Sequence, residues 1–352
     1  MSTPFWKPPS ERYPGSLPDA VDVLVIGGGI TGVSVMHHLH DRGVSAVLVE
    51  RDHLAAGASG RNAGFLLAGV AESYAAAVRT YGRARAREVW AITVENHDRQ
   101  IEAAGDADVG HVRSGSAILA SDPEEARELE ESAQLLAEDG FDARWDGRVL
   151  LNPGDGEVYP TRLVAALARR APPGSIREGV GVTAIESGGV VHADEATCRA
   201  GAVVVATNAY TAEVLPQVDI EPNRAQMLAT EPERARVAEH PTYSHRGYRY
   251  WRQMPTGEVL IGGWRDTSPG SERTSDAAPT TAIQAHLDEA VRRLGVRGRV
   301  THRWAGTMGF TKTGLPLVGP VDGMRNVYLC AGFNGHGMGF AFMSAKQLVD
   351  SL

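Results

Sequence analysis

Gly27, Gly29, Gly32 and Glu50 are the residues whose types and spacing first promise chemistry. The glycines stand as Gly-x-Gly-x-x-Gly and the acid follows about twenty residues further on, the spacing of a dinucleotide-binding fingerprint. Gly27 permits a tight turn, Gly29 lets the backbone approach a pyrophosphate, and Gly32 lets a helix pack closely on a strand. Glu50 can accept hydrogen bonds from both hydroxyls of an adenosine ribose. A second pointed stretch is Tyr248-Arg249-Tyr250-Trp251-Arg252. In a strand, Tyr248 and Tyr250 share one face, Arg249 and Trp251 the other. An aromatic face can make cation–π contact.

These residues need elements to hold them. Residues 23–26 read as a buried strand, Ile30 and Thr31 open an apolar-periodic helix, and residues 46–49 form a second strand ending at Glu50. The helix N-terminus offers unpaired N–H groups to phosphate. With Gly at 40 of 352 residues, the pattern takes its meaning from that strand, helix and acid, and it leaves NAD and FAD both open. Residues 2–18 predict an extended arm held on the surface by Phe5, Trp6 and Tyr13. Residues 71–104 predict one long helix. Asp122-Pro123-Glu124-Glu125 predicts a capped helix start, with a stop at Gly140 and glutamates facing solvent. Further helices are expected over 160–170 and 280–294, and strands over 180–185, 190–192, 202–206 and 326–330. Pro255-Thr256-Gly257-Glu258 is a hairpin turn between residues 248–252 and 259–261. A glycine-rich loop over 332–339 precedes a final helix.

The composition, 43% hydrophobic and 22% charged, is that of a soluble globular protein. A formal net charge of −8 argues against nucleic acid or anionic membrane as a partner. No apolar run reaches the length of a membrane span, and residues 1–20 have no apolar h-region, so neither a span nor a signal peptide is expected. Cys198 and Cys330 form no metal or redox motif and are expected to be reduced thiols of a cytoplasmic protein. His37 and His40 have metal-binding spacing, yet no third ligand accompanies them, so no metal is expected.

Three separated segments together carry a family resemblance. They are the fingerprint, Gly57-Ala58-Ser59-Gly60-Arg61-Asn62-Ala63-Gly64, and Trp304-Ala305-Gly306 with Gly314-Leu315-Pro316 and Gly332-Phe333-Asn334-Gly335-His336-Gly337. In order along the whole chain, these resemble the D-amino-acid-oxidase-like FAD-dependent amine oxidoreductases, which include glycine, sarcosine and gamma-glutamylputrescine oxidases. The arm looks most like the last of these. The resemblance implies FAD. Gly27, Gly29, Ile30, Thr31, Gly32, Glu50 and Arg51 would hold its AMP half. Ser59, Arg61 and Asn62 would donate to phosphate or flavin, Gly60 and Gly64 would let backbone approach, and Ala63, Phe65, Val182 and Thr207 would line the cofactor. Gly332, Phe333, Asn334, Gly335, His336, Gly337 and Met338 would meet the flavin, with the positive end of the last helix facing its pyrimidine edge. The implied reaction is hydride transfer from the carbon bearing an amine to flavin N5, leaving an imine that water hydrolyses.

The sequence departs from that family in three places. The Arg that pairs with substrate carboxylate in amino-acid oxidases aligns with Met308, and the Lys that follows the Gly-His-Gly loop in sarcosine oxidases aligns with Gly339. Either the substrate is an amine with no carboxylate near the reacting carbon, or another Arg does the job, with Arg249 and Arg252 the candidates. The Cys that links flavin covalently also falls near Met308, so non-covalent FAD is expected. The Lys set over the flavin in sarcosine-type oxidases aligns with Leu260. Tyr248, Tyr250, Trp264, Met308 and His336 are the expected substrate pocket.

The expected fold is α/β: a Rossmann-like FAD-binding domain from residues 21–85, 150–215 and 300–352. A substrate domain on a mainly antiparallel sheet, residues 86–149 and 216–299, is inserted into it, and residues 1–20 form the arm. The expected function is oxidation of the C–N bond of a small amine or amino acid, with O2 reduced to H2O2. Alternatives are a flavin-carrying dehydrogenase subunit of an electron-transfer complex, and an NAD-dependent dehydrogenase. Homo- or hetero-oligomerisation stays open.

Overall fold

The computed structural model describes residues 2–352. Its first sheet runs in the order Leu317–Pro320, Val327–Ala331, Ala196–Val205, Ala20–Ile26, Ala46–Glu50, Ile176–Glu178. The four pairings from Val327–Ala331 to Ile176–Glu178 are parallel and Leu317–Pro320 pairs antiparallel, while two short strands, Val190–Ala193 and Ala184–Glu186, extend one end of Ala196–Val205 as an antiparallel ribbon. Val23 and Val25 pack against the helices Ile30–Asp41 and Gly337–Ser351, while Leu24 and Ile26 pack on the opposite face with Val203 and Leu329. A strand buried on both faces needs the unbroken apolar run seen at residues 23–26.

The second sheet runs Val300–Phe310, Glu221–Thr230, Val259–Gly263, Arg249–Gln253, Thr242–Ser244, Ser116–Leu119, Val149–Asn152, Arg144–Trp145. All its pairings are antiparallel except Thr242–Ser244 with Ser116–Leu119. One face is covered by the helix Thr281–Arg293, through Ile283 and Leu287 on Leu228, Val259 and Ile261. The other face, with Met227, Leu260 and Trp304, turns toward Ala63, Phe65 and Leu67 and so toward the first sheet.

Several expectations change. The 71–104 stretch is two helices, Tyr74–Tyr81 and Arg83–Ala104, broken at Gly82, whose φ of +80° is left-handed and ends the first. The arm is not merely surface-pinned. Trp6 is 1% exposed, donates its indole N–H to the Asn62 carbonyl at 2.6 Å, and stands edge-on to Tyr159 at 4.6 Å. Burying so large a ring offsets part of the cost of ordering the arm. Residues 180–183 are irregular, and only Ala184–Glu186 is strand there. Glu125 is not on a solvated face: its carboxylate accepts from Ser121 N at 2.8 Å and from Arg246 N at 2.7 Å. Val300–Phe310 and Val149–Asn152 belong to the second sheet, so division at residues 300 and 150 does not follow the sheets.

Candidate active site

One continuous cavity begins where Ala20–Ile26 meets the helix Ile30–Asp41 and ends at the second sheet. At its start, Gly27 has φ +113°, and a Cβ there would stand 2.7 Å from the Ala206 carbonyl. A Cβ on Gly29 would meet Ser59 Oγ at 2.9 Å, while that oxygen accepts from Ile30 N at 2.9 Å. Gly32 lies behind the cavity wall, where a Cβ would be 1.9 Å from the Gly27 carbonyl. This is close helix–strand packing, and it leaves the first-turn N–H groups turned to the cavity. Glu50 accepts from Gly28 N at 2.6 Å and Asp52 N at 2.8 Å; burial raises its carboxyl pKa and these bonds oppose that. Arg51 pairs with Glu213 at 3.0 Å and lies over the Tyr210 ring.

The loop over residues 57–65, which follows the strand Ala46–Glu50, is held from within and from the second sheet. Arg61 donates to the carbonyls of Ala56 at 2.9 Å and Ala305 at 3.0 Å. Asn62 donates to Ala58 and Ser59 and accepts from Gly64 N at 2.7 Å. Ser59, Arg61, Asn62, Ala63 and Phe65 line the cavity, as do Val182 and Thr207 from the facing wall. Gly60 and Gly64 do not: added Cβ atoms would sit 2.2 Å from Ala55 O and 2.4 Å from Val158 O.

At the far end, the loop entering the last helix is a strained one. Gly332, Asn334 and Gly335 all have positive φ. Asn334 braces it, donating to Gly332 O at 2.8 Å and accepting from Thr311 N at 2.9 Å. Asn208 accepts from Gly332 N at 3.0 Å. From the other side Asn96 and Gln100 both donate to the Met338 carbonyl at 3.0 Å. Phe333, Asn334, Gly335, His336, Gly337 and Met338 reach the cavity, and Gly332 lies behind them.

An aromatic box closes this end. Tyr243 and Tyr250 stand edge-on, 5.9 Å between centroids, with Phe65 at 5.5 Å and His336 at 6.2 Å from Tyr243. Cross-strand register sets Tyr243 opposite Tyr250, and Gly262 makes room: a Cβ there would be 2.2 Å from the Tyr250 ring. Burial pushes the Tyr250 phenol up to about 12 and Tyr243 upward too, so both stay protonated at neutral pH. Burial also drives His336 down to about 4, so its ring is neutral. Met308 Sδ lies 3.1 Å from where a Gly335 Cβ would be, which brings Met308 onto the same loop.

Three expected pocket residues are elsewhere. Arg249 is buried, pairs with Asp266 at 3.1 Å and stacks over Trp264 at 4.6 Å. Arg252 is 1% exposed, 3.1 Å from Glu157, and donates to the carbonyls of Ala63, Gly64 and Val158. Neither faces the cavity, and Trp264 packs toward Ile261 and Leu287. These arginines are internal braces, because their strands are covered on both sides. Tyr243, Arg265, Asn208, Tyr210 and Phe310 line the cavity without having been singled out. Tyr243 had a signal, lying in the alternating aromatic segment one hairpin away from Tyr250. His37's nearby carboxylate is Asp41, at 3.3 Å; with His38 these groups cluster, but His38 Nε2 is already hydrogen-bonded to the Phe342 carbonyl. Among the described residues no helix is long and apolar enough to cross a membrane.

Comparison with known proteins agrees with this geometry. Residues 22–351 match the model of the DAO family, described as FAD dependent oxidoreductase. The chain is 28% identical over 98% of its length to a tRNA 5-methylaminomethyl-2-thiouridine biosynthesis bifunctional protein of Maricaulis maris, of which it spans 54%. It is 26% identical over 94% of its length to gamma-glutamylputrescine oxidoreductase of Escherichia coli, spanning 83% of that protein. Among solved structures, glycine oxidase from Geobacillus kaustophilus superposes with a TM-score of 0.74 at 22% identity, covering 95% of each chain. With the family match running across both sheets and every wall of the cavity, the chain belongs to the DAO family of FAD-dependent oxidoreductases.

Proposed function

We propose that this enzyme oxidises the C–N bond of a small amine or amino acid, with O2 as acceptor and H2O2 as product. The observation that carries the reading is the aromatic box of Tyr243, Tyr250, Phe65 and His336, joined by one cavity to the glycine cradle. The cradle's contents fit FAD. Gly27, Gly29, Ile30 and Thr31 would meet its pyrophosphate, Glu50 and Arg51 its adenosine, Ser59 to Phe65 with Val182 and Thr207 its middle, and Phe333 to Met338 its ring system. The names of the relatives support an amine substrate. FAD bound there would supply a two-electron acceptor for the hydride.

What the chain's own residues do is prepare the amine. Amines react only when neutral, and a box with no carboxylate among its lining residues gives an ammonium no partner, so desolvation lowers the substrate's pKa. Neutral His336 and protonated Tyr250 add no charge of their own. The rings orient the reacting C–H and exclude water until the imine is formed and hydrolyses. Tyr243, Tyr248, Tyr250, Arg265, Met308 and Phe310 supply this side from the second sheet and its turns, and no residue of 86–149 lines the cavity. The missing Lys after the Gly-His-Gly loop has a steric reason, since a Cβ at Gly339 would be 2.5 Å from the Leu67 carbonyl. Non-covalent FAD is supported by Cys198 and Cys330, both fully buried in first-sheet strands outside the cavity and so offering no thiol for a link. Yellow colour remaining in an acid-precipitated pellet would overturn that point.

A second reading, a dehydrogenase subunit passing electrons to another acceptor, is favoured by Leu260, which is fully buried in an apolar cluster and puts no cation in the cavity wall. Rapid mixing separates the two: protein bleached by amine without air recolours on aeration at catalytic rates if it is an oxidase. Slow recolouring with fast dye reduction assigns it to the second class.

A further inference from the structure

Among the described residues, the cavity-lining Arg265 has no acid within ion-pairing reach. Gly263 at φ +120° and Trp264 at φ +62° end the strand Val259–Gly263 in a left-handed turn, which swings Arg265 back into the cavity beside the aromatic box. Its guanidinium is held between two rings, 4.4 Å from the centroid of Tyr248 and 4.9 Å from that of Phe310. Aromatic faces fix a guanidinium without using its N–H donors.

Among the described residues, no carboxylate lies within ion-pairing distance of Arg265. The adjacent Asp266 is taken by Arg249, whose burial and stacking on Trp264 hold that acid on the far side of the turn. The other cavity arginines are engaged. Arg51 pairs with Glu213 and Asp52, Arg61 holds backbone carbonyls, and Arg246 pairs with Asp122 at 3.3 Å and Glu124 at 3.6 Å. Burial raises the Tyr243 and Tyr250 phenols and the Arg265 charge opposes the rise in both, which sets the guanidinium on the box side. The acids that line the cavity, Glu50, Asp52 and Glu213, are all at the adenosine end.

We infer that Arg265 is the anchor for a carboxylate on the substrate, replacing the arginine absent at Met308, so that the substrate class is an amine carrying a carboxylate. The inference rests on the proposed amine oxidation and deepens it. It assigns to Arg249 a positioning role, keeping Asp266 away from Arg265.

The test uses FAD-loaded protein titrated with benzoate and with its neutral isostere benzamide, read from the visible flavin spectrum with no turnover. Wild-type protein is expected to bind benzoate about 10- to 100-fold tighter than benzamide, the worth of a charge-assisted hydrogen-bonded pair. Added salt should narrow that gap. Arg265→Gln should abolish the preference, and Arg265→Lys should retain part of it at normal flavin content. A wild type with no preference overturns the inference, and so does either an R265Q protein that keeps it or an R265K protein that loses it entirely. The amine-oxidation reading fails separately, if no amine with or without a carboxylate bleaches the flavin while benzoate still binds preferentially.

Discussion

Arg252 is the brace whose removal has the most calculable consequence. Its guanidinium is 1% exposed, faces Glu157 at 3.1 Å, and ties the carbonyls of Ala63, Gly64 and Val158 to the second sheet. Arg252→Met keeps much of the volume but leaves the Glu157 carboxylate, 6% exposed, without its ion-pair partner. Breaking one half of a buried pair costs about 3–5 kcal/mol. For 352 residues the unfolding entropy is about 0.7 kcal/mol per kelvin, so the melting temperature should fall by about 4–7 °C. The double variant R252M/E157Q removes the stranded charge and should recover at least half of the loss. Glu157 already has its pKa raised by burial, with Arg252 opposing, and without Arg252 it rises further. A carboxyl with a raised folded-state pKa loses stability as pH rises through that value, so the R252M deficit should be larger at pH 8 than at pH 5. Calorimetry of the FAD-free protein at both pH values reads this. Equal melting temperatures for the single and double variants, or a deficit independent of pH, would refute the stranded-charge account.

Four further outcomes follow from the cavity. Gly32→Val puts a Cβ 1.9 Å from the Gly27 carbonyl, so the purified variant should carry less than a tenth of the wild-type flavin, read from its absorbance ratio. Gly262→Ala pushes on the Tyr250 ring from 2.2 Å and should raise the amine KM about tenfold while leaving flavin content intact. His336, held down to about 4, is neutral at working pH, so the rate of anaerobic reduction should show no His336 inflection between pH 6 and 8. Its depressed pKa costs stability only as pH falls from about 6.5 toward 4, so acid unfolding of His336→Asn should be shifted to lower pH.

Legibility in the sequence tracks how local each feature is. The strand, turn, helix and strand over residues 20–50 could be read because each glycine's role is fixed by neighbours a few positions away. Tyr250 could be read from strand alternation alone. Arg249 and Arg252 were legible as cations on a strand, but not as braces, because Asp266 and Glu157 reach them through sheet topology. Arg265 was hidden by the left-handed Trp264, a conformation a β-forming aromatic does not advertise. The burial of Trp6 is illegible for a similar reason: its socket of Asn62, Tyr159 and Arg252 is assembled from three distant segments. Gly82 alone does not say whether a helix continues, since glycine takes a positive φ or a helical one with equal ease.

The central claim is that the glycine cradle and the aromatic box form one redox site for an amine. Anaerobic mixing of the FAD-loaded protein with a panel of amines, N-methyl amino acids and D- and L-amino acids tests it most directly. The account predicts loss of the oxidised flavin band near 450 nm, roughly the usual position for a flavin, with at least one carboxylate-bearing amine. Bleaching should slow at least tenfold in the Gly262→Ala variant at low amine concentration. An oxidised spectrum unchanged by every amine, in protein that binds FAD and bleaches with dithionite, would contradict it.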